Sequence, residues 1–336
     1  MSESNSNRIT IIGDGAMATV CALMLHANQH EVTLWSAFPE YARQMSRTRE
    51  NSKYLPGFSI PTGVRITADA NEAFAAPQII VNAVPCQYLR SVWSKFVKIA
   101  PKDAIYVSVT KGIENGTLLR PSQIMRELLG PINMVVLSGP SIAVEVAESL
   151  PGTLVAASEN PEHARIVQSV FTTPSIRVYT NNDIVGVELA GAMKNVIALA
   201  AGMVDGLHAG DNAKAALLTR GLVEITRLGI ALGANKETFA GLTGLGDLVT
   251  TCISPHGRNR RFGELIGKGF TPEEARQQIQ SVVEGVATTQ SVVELAKKHN
   301  VEMPITESVH AIIFEGKKPL QAIQDLMARG LKGESI

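Results

Sequence analysis

The chain has 336 residues, of which 45% are hydrophobic, 18% charged and 5% aromatic. This length is more than one hydrophobic core usually serves, so we expect two domains. The 31 Lys and Arg residues balance the 31 Asp and Glu residues, which leaves no formal net charge. The composition therefore argues against a protein that binds nucleic acid or anionic lipid through bulk charge.

The cysteines and the apolar runs indicate a protein of the reducing cytoplasm. The three cysteines form no CxxC pair and the seven histidines show no metal-ligand spacing, so we expect neither a disulfide framework nor a metal site. Residues 1–7 lack the apolar stretch of a signal peptide. The longest weakly polar run, Leu189–Val204, contains Lys194 and Asn195 and is shorter than a bilayer span. We expect this run to form a buried helix.

From Arg8 to about Thr180 the sequence alternates short β-branched runs with helical stretches, which is the pattern of a parallel sheet covered by helices on both faces. Several of the runs are apolar throughout, so we expect those strands to lie inside the sheet. The runs with the length and composition of strands are Ile9–Ile12, Glu31–Trp35, Gln78–Val84, Ala104–Val109, Met134–Leu137, Leu154–Ala157 and Ile176–Tyr179.

After Asn182 the sequence has long helical segments and no convincing strand. The fold class that this pattern predicts is α/β, with a Rossmann-type, mostly parallel sheet domain followed by an all-α domain. We expect the sheet domain over residues 8–181 and the helical domain over residues 182–336. The motifs and the resemblance described below imply that the first is the dinucleotide-binding domain and the second the substrate-binding and catalytic domain. The loop from Asn51 to Gly63 is predicted to be an ordered surface connection.

A glycine motif, Gly13-Asp-Gly-Ala-Met-Ala18, follows the first strand directly and opens an apolar helix over Ala16–Ala27. This is the context that a dinucleotide fingerprint requires. Gly13 would form the tight turn, Gly15 would let the pyrophosphate approach the backbone, and Ala18 would replace the third glycine. An ordinary glycine turn is the alternative, which the repeated βα pattern disfavours.

The residues after the second strand leave the cofactor open between NAD and NADP. Trp35 is followed by Ser36, Ala37 and Phe38, where an NAD site usually has an acidic residue for the ribose. The absence of a carboxylate permits NADP, but no arginine follows to bind a 2′-phosphate. Ser36 would suit either cofactor, or would serve as a simple turn residue.

Lys194 is the only charged side chain between Leu189 and Val204. Burial in apolar surroundings disfavours the charged ammonium and lowers the pKa of a lysine, which then donates and recovers a proton more readily. The alternatives are a structural lysine paired with Glu188 or another carboxylate, and a lysine whose amine reaches water.

Several short blocks are more specific than a glycine fingerprint. In the first half they are Gly13–Ala18, Asn51–Gly57, Val84–Gln87, Lys111–Glu114 and Ser138–Ala143. In the second half they are Gly186–Asn195, Gly210–Lys214, Thr219–Gly221, Gly241–Leu248, Thr251–Cys252, Arg258–Asn259 and Val283–Val286. Together, from about Arg8 to Glu315, the sequence resembles the bacterial type of NAD(P)-dependent glycerol-3-phosphate dehydrogenase.

The resemblance implies reversible, NAD(P)H-dependent reduction of dihydroxyacetone phosphate to sn-glycerol 3-phosphate, which supplies glycerophospholipid synthesis. It implies three catalytic residues: Lys194 as proton donor and acceptor, Asp247 beside it, and Lys111 near nicotinamide and substrate. The positions that match substrate contacts are Lys111, Gly139, Ser141, Lys194, Asn212, Asp247, Thr251, Gly257, Arg258 and Asn259. Those that match cofactor contacts are Gly13, Gly15, Ala16, Met17, Ala18, Trp35, Ser36, Ala37, Pro85, Lys111, Ala143, Arg258, Val282 and Glu284.

Most of these side chains also have an ordinary structural explanation. Asp247 and Ser141 would serve as helix N-caps, and Lys111 as a solvated loop lysine. The run Arg258–Arg261 is the one dense cationic patch, and a solvated helix face or a nucleic-acid contact would explain it too. If two charge-assisted hydrogen bonds hold the substrate phosphate, they would favour dihydroxyacetone phosphate over dihydroxyacetone by about two to four decades.

The sequence departs from the usual family pattern at cofactor and phosphate contacts. Ala16 and Met17 stand where a serine and an aromatic residue are common, Cys86 and Gly257 where serine is usual, and no basic residue closely follows Trp35. These departures affect cofactor choice and affinity more than the reaction itself.

Two other functions stay open beside the dehydrogenase. One is a related reductase of another small carbonyl compound, and the other is a nucleotide-binding sensor that has lost turnover. In each case we expect a small-molecule ligand and no nucleic acid, while the choice between monomer and homodimer is open.

Overall fold

The computed structural model describes residues 6–279, 281–331 and 333–334, and the chain divides into two compact units. The first unit contains the described residues up to Thr110 together with Pro121–Ile184. The second contains Lys111–Arg120 and the described residues from Val185 onward. The predicted boundary between residues 181 and 182 lies close to this second junction, but it did not separate the segment Lys111–Arg120 from the first part of the chain.

The first unit is built on an eight-stranded sheet. Its strands and those of a separate hairpin are β1 Arg8–Ile12, β2 Glu31–Trp35, β3 Glu50–Asn51, β4 Leu55–Ser59, β5 Arg65–Thr67, β6 Ile79–Asn82, β7 Ile105–Ser108, β8 Asn133–Ser138, β9 Gly152–Ala157 and β10 Ile176–Asn181. The order in the sheet is β10-β9-β8-β7-β6-β1-β2-β5, and β3 pairs with β4. All neighbours are parallel except β8 and β9. The strand order reverses at β1, which lies between β2 and β6.

The seven predicted strands all form, whereas β3, β4 and β5 were not predicted. The hairpin of β3 and β4 lies partly in the loop from Asn51 to Gly63, which the sequence predicts as an ordered surface connection. Pro56 and Gly57 interrupt the strand pattern of β4, and β5 has only three residues at the edge of the sheet. Short edge strands bury little surface and therefore leave little periodic signal in a sequence.

Within its described residues, the sheet unit has seven helices. They are α1 Ala16–Ala27, α2 Pro39–Thr48, α3 Ala70–Ala73, α4 Cys86–Trp93, α5 Pro121–Leu129, α6 Ala143–Ala147 and α7 Pro161–Phe171. Helix α1 has the predicted bounds, and its apolar side chains pack on the buried strands in one core. Side chains of Asp69 and Asn160 cap α3 and α7, and Pro161 occupies the first turn of α7, where the missing N–H has no cost.

The second unit contains helices and no strand among its described residues, and its segment Lys111–Arg120 is irregular. Its elements are α8 Ile184–Gly206, α9 Asp211–Ala231, α10 Lys236–Ala240, a π-helical turn Leu242–Gly246, α11 Asp247–Ile253, α12 Arg258–Gly267, α13 Pro272–Gln277, α14 Glu284–Lys298, α15 Pro304–Phe314 and α16 Pro319–Met327. With the sheet unit, this confirms the predicted α/β architecture with a helical second part.

Helix α8 is the core of the second unit. It has 23 residues and is long and apolar enough to cross a membrane, but 94% of its most apolar window is buried inside the protein. Glycines let α12 pack closely on it: a Cβ on Gly202 would come within 1.9 Å of the Arg260 carbonyl oxygen, and one on Gly263 within 1.9 Å of the Leu199 carbonyl oxygen. This close packing holds the start of α12 at a defined distance from Lys194 on α8.

Candidate functional site

The turn after β1 requires glycine at its first position. Gly13 has φ 129°, and a Cβ there would lie 2.9 Å from the Ala83 carbonyl oxygen. Its N–H donates to the Trp35 carbonyl oxygen at 3.0 Å, which ties the turn to the end of β2. Gly13 therefore forms the tight turn that the fingerprint predicts.

Gly15 has a different reason to be glycine. It caps α1 with φ −76°, and a Cβ on it would meet no atom within 4 Å. Space is therefore open above the first N–H groups of α1, which begins with Ala16, Met17 and Ala18. Ala18 is fully buried against the sheet, while Gly15, Ala16 and Met17 are half-buried. An open helix N-terminus with no side-chain cap fits the pyrophosphate of a dinucleotide.

The end of β2 carries a carboxylate that the sequence did not predict. Trp35 and Ser36 are buried and Ala37 is exposed. The Ser36 hydroxyl donates to Asp14 Oδ2 at 2.5 Å, so the second residue of the glycine motif supplies an acidic group at this position. The expectation of no carboxylate here was wrong, because the turn after β1 brings Asp14 to the end of β2.

The turns after β6 and β8 lie at the same edge of the sheet as those after β1 and β2, because these four strands are parallel. Pro85 caps α4, and Gly139 has φ 133° with its Cβ position 2.9 Å from the Thr153 carbonyl oxygen. Ser141 donates to the Gly139 carbonyl oxygen at 3.1 Å and is not the cap of α6, which begins at Ala143. The alternative of Ser141 as an N-cap is therefore wrong.

In the second unit, two amines converge on one carboxylate. Lys194 is 5% exposed, and its Nζ donates to Asp247 Oδ1 at 2.5 Å and also to the Thr251 hydroxyl. Lys111 Nζ donates to Asp247 Oδ2 at 2.6 Å. Asp247 is 2% exposed, so its carboxylate is compensated by two positive charges with little help from water.

Local structure explains why Asp247 reaches the lysines. The π-helical turn Leu242–Gly246 precedes it, and a Cβ on Gly244 would lie 2.0 Å from the Phe239 carbonyl oxygen, so the turn needs glycine there. Asp247 is the first residue of α11, and Gly246 is the cap. Its carboxylate binds lysines, so the alternative of a simple N-cap is wrong. Single π-helical turns occur frequently at functional sites.

Of the carboxylates considered as partners for a purely structural Lys194, Glu188 pairs with another residue, whereas Asp247 is the carboxylate that pairs with Lys194. Glu188, on the same helix, forms a buried ion pair with Arg120. Arg120 ends the segment that begins with Lys111, and Ser291 on α14 donates to the Ile113 carbonyl oxygen at 3.1 Å within it. These contacts hold the Lys111 segment against the second unit. The sequence gave no signal for them, because Arg120, Glu188 and Ser291 are far apart along the chain.

Burial changes the chemistry of Lys194. Its pKa is lowered from 10.5 to about 8, mainly by desolvation on burial and also by the positive charge of Lys111. The Asp247 carboxylate opposes both effects by stabilising the ammonium. A lysine with a pKa near 8 exchanges protons close to neutral pH, which suits a general acid and base.

The cationic run on α12 divides between two environments. Arg260 pairs with Asp205 at 2.7 Å, whereas Arg261 is exposed. Although the Arg258 side chain reaches solvent, protein atoms around its guanidinium lower its pKa by desolvation, and the charge of Glu284 opposes that shift. Arg258 is therefore a partly desolvated cation at the start of α12, a place suited to an anion.

The neighbours of Arg258 belong to the same region of the second unit. Gly257 caps α12, and Asn259 Oδ1 accepts a hydrogen bond from the Gly285 N–H at 2.9 Å. Glu284 is the first residue of α14, and Val282 precedes it with 38% of its surface exposed. The start of α14 thus lies against the start of α12, as a shared site requires.

Asn212 is the predicted residue that is not joined to these groups. It is exposed at the start of α9, and among the described residues its side chain has no hydrogen-bond partner. Nowhere in the described residues does a group of three His, Cys, Asp or Glu side chains lie close enough to hold a metal ion.

The sequence also missed the residues that hold the glycine turn. Asn51 is fully buried, and its amide donates to the Asp14 carbonyl oxygen at 2.8 Å and to the Thr19 hydroxyl at 2.7 Å. Tyr41 donates to Asn51 Oδ1 at 2.5 Å. Asn51 opens one of the blocks that carry the resemblance, which was the available signal for its importance.

Comparison with known proteins gives consistent results along the chain. The model described as "NAD-dependent glycerol-3-phosphate dehydrogenase N-terminus" matches residues 8–164, and that of the corresponding C-terminus matches residues 183–324. Glycerol-3-phosphate dehydrogenase [NAD(P)+] of Pelotomaculum thermopropionicum is 48% identical over 97% of this chain and 94% of its own length. The Bacillus subtilis protein of the same name is 47% identical over 96% of this chain and 94% of its own.

A solved structure agrees with both parts of the chain. The crystal structure of glycerol-3-phosphate dehydrogenase from Coxiella burnetii is 38% identical and superimposes with a TM-score of 0.93. The similarity covers 96% of this chain and 99% of that one.

Proposed function

The chain belongs to the NAD-dependent glycerol-3-phosphate dehydrogenase family, and we propose that it catalyses the reversible NAD(P)H-dependent reduction of dihydroxyacetone phosphate to sn-glycerol 3-phosphate. The observation that carries this proposal is the buried Lys194 amine, hydrogen-bonded to Asp247 and with a pKa of about 8. A ketone reduction needs such a proton donor as negative charge develops on the oxygen.

The nicotinamide cofactor supplies the hydride when it is bound, and the residues present fit its phosphates. Gly13 forms the turn, Gly15 leaves space above the start of α1, and the first N–H groups of that helix point at the space. We assign cofactor binding to this turn together with the end of β2. Both NAD and NADP are compatible with these backbone contacts, since the pyrophosphate is common to the two.

Proton transfer in this proposal uses Lys194 Nζ. In the reduction, the ammonium donates its proton to the carbonyl oxygen, and in the reverse reaction the neutral amine recovers it. Asp247 orients the amine through one carboxylate oxygen and binds Lys111 through the other. The positive charge of Lys111 also favours negative charge on the substrate oxygen.

Phosphate recognition is assigned to the start of α12. Arg258 supplies a charged donor, and Asn259 is held beside it by the backbone of Gly285. Charge-assisted hydrogen bonds from these side chains would select a phosphorylated substrate and fix its orientation. We keep Thr251, Gly257, Gly139 and Asn212 as predicted substrate contacts.

We also propose that the protein acts in the cytoplasm, where its product supplies glycerophospholipid synthesis. The long apolar helix is buried in the second unit, and the family consists of enzymes of small-molecule metabolism, which supports this assignment. A homodimer stays a prediction, and sedimentation at several concentrations would test it.

The reaction is tested by following oxidation of NADH and of NADPH by purified protein. We expect turnover with dihydroxyacetone phosphate and little with dihydroxyacetone or an unphosphorylated keto acid. The reverse reaction should require sn-glycerol 3-phosphate and an oxidised cofactor. Folded protein that binds cofactor but turns over none of these substrates would contradict the proposal and favour a sensor, and preference for the keto acid would favour a different reductase.

A further inference from the structure

The turn after β1 contains a feature that bears on the choice of cofactor. We propose that the Asp14 carboxylate, held by Ser36 at the end of β2, selects NAD over NADP by accepting a hydrogen bond from the adenosine 2′-hydroxyl and repelling a 2′-phosphate. This inference rests on the proposed function only in requiring a nicotinamide dinucleotide at this turn. It names the residue that decides between the two cofactors.

The position of Asp14 is the first step of the argument. In sheets of this order, the adenosine ribose binds at the end of β2, and an acidic side chain there accepts from its 2′-hydroxyl. Here β2 ends at Trp35 and is followed by Ser36, which is not acidic. The Ser36 hydroxyl donates to Asp14 Oδ2 at 2.5 Å, so the carboxylate lies where an acidic residue of β2 would otherwise be.

The hydrogen bonds of Ser36 leave the Asp14 carboxylate able to accept a further hydrogen bond. Ser36 is fully buried, and its oxygen accepts from the Phe38 N–H at 3.1 Å while its proton goes to Asp14. Across the described residues, Ser36 is the only side chain that donates to this carboxylate. An ionised carboxylate has several lone pairs, so it retains capacity for a ribose hydroxyl.

The backbone around Asp14 is held in place as well. Asn51, fully buried, donates to the Asp14 carbonyl oxygen at 2.8 Å, and Tyr41 in turn donates to Asn51. The neighbouring Gly13 packs against Ala83 with no room for a side chain. These contacts hold the Asp14 backbone at the end of β2, so a 2′-phosphate is admitted only if the side chain turns away and breaks its hydrogen bond with Ser36.

The charged side chains near Asp14 also favour NAD over NADP. Burial raises the pKa of Asp14 from its ordinary value of 3.8, while the Ser36 hydrogen bond and the charge of Lys53 lower this pKa and so stabilise the carboxylate. Arg49 donates to the carbonyl oxygens of Ile60 and Val64, at 3.1 and 2.8 Å, and is engaged there. Lys53 is exposed, with its amine 4.9 Å from the centre of the Tyr54 ring, and is the cation that a 2′-phosphate would recruit.

The test measures binding of NADH and NADPH to purified full-length protein without substrate, by isothermal titration calorimetry. Adenosine 5′-monophosphate and adenosine 2′,5′-bisphosphate, which differ only in the 2′-phosphate, serve as matched fragments. We expect the wild-type protein to bind NADH at least about tenfold more tightly than NADPH. In Asp14→Asn, which keeps the shape and removes the charge, the ratio should fall by about tenfold or more.

Three further variants make the result specific. Glu31→Gln removes one negative charge at the exposed, opposite end of β2 and should leave the ratio within about twofold. Lys53→Met should also leave it unchanged. Asp14→Ser also removes the carboxylate and should lower the ratio by a similar factor, so it replaces Asp14→Asn as the test if that variant fails to fold.

The proposal is overturned if wild-type protein binds NADPH as tightly as NADH, if Asp14→Asn leaves the ratio unchanged, or if Lys53→Met selectively loses NADPH. Its failure is distinguishable from failure of the proposed reaction. Selective NADH binding without turnover would contradict the reaction and support the role of Asp14. Turnover of dihydroxyacetone phosphate with no preference between cofactors would contradict only the role of Asp14.

Discussion

The two units of the molecule carry their candidate functional residues in opposite ways. In the first, the informative positions lack side chains: Gly13 makes a turn that no other residue would fit, and Gly15 leaves space above a helix N-terminus. In the second, they are charged side chains buried among apolar helices, above all Lys194 and Asp247. Holding an anionic cofactor requires N–H groups and close approach, whereas proton transfer requires a group whose pKa burial has shifted.

The largest expected effect is on Lys194, because it is assigned the chemistry. Lys194→Met should lower kcat by about a thousandfold, within the range for loss of a general acid, while cofactor affinity changes less than about threefold. Steady-state rates measure the change in kcat, and calorimetric titration measures the change in cofactor affinity. Lys268→Met, which removes a half-exposed lysine on the surface of the same unit, is the control. Equal losses of rate and of cofactor binding would show that Lys194 is structural.

Arg258 is expected to affect substrate choice more than the chemical step. Arg258→Ala should narrow the kcat/KM preference for dihydroxyacetone phosphate over dihydroxyacetone by about a hundredfold, because a charged donor to the phosphate is lost. Arg261→Ala, the matched change three residues along the same helix, should have little effect because Arg261 is not among the predicted phosphate contacts. If both variants behave alike, the cationic run acts only through general charge.

The pH dependence of the rate follows from the pKa of Lys194. Reduction needs the ammonium, so its kcat should be constant below pH 8 and fall by about tenfold per pH unit above it. Oxidation of sn-glycerol 3-phosphate needs the neutral amine and should show the opposite slope below pH 8. Rate profiles in both directions, at saturating substrate, check the sign. A reduction rate that rises with pH through this range would contradict the assignment.

Substitution of the two glycines separates folding from binding in the first unit. Gly13→Ala places a Cβ 2.9 Å from a carbonyl oxygen at φ 129° and should lower the free energy of unfolding by about 1–3 kcal/mol. Gly15→Ala meets no atom within 4 Å, so thermal melting should change little while cofactor affinity falls by about tenfold. Melting curves and titrations provide both readouts. Unchanged cofactor affinity in folded Gly15→Ala would argue against a phosphate at this turn.

A smaller effect concerns stability and a second buried acid. Glu224 accepts from the N–H groups of Ile305 and Thr306 at the start of α15, and burial raises its pKa from 4.5 to about 7. A raised carboxyl pKa stabilises the fold below pH 4.5, and this contribution is lost as pH rises toward 7. Glu224→Gln should remove most of this pH-dependent loss in the free energy of unfolding, which is on the order of 2 kcal/mol. Denaturant titrations at several pH values across this range measure the loss. Glu294→Gln, an exposed change, should leave the pH dependence as it is.

The sequence predicted the elements whose pattern repeats over many residues. All seven predicted strands, helix α1 and the buried helix α8 are apolar segments with a clear boundary, and burial of their side chains is a property of the segment itself. The edge strands β3 to β5 were missed because they are short and bury little. The segment Lys111–Arg120 was placed with its neighbours along the chain, because its attachment through Arg120 and Glu188 has no local signal.

For the site, the sequence by itself determined the glycine turn and an isolated amine in an apolar helix, since each depends on residues next to one another. It did not determine that Asp14 meets Ser36, or that Lys194 and Lys111 share Asp247. The lysines are 53 and 136 residues from Asp247 along the chain, so only the packing of the second unit brings the three charges together. The sequence determines the identity and the charge of each side chain. The pKa that suits Lys194 to proton transfer arises from burial and from neighbouring charges, which the tertiary structure alone supplies.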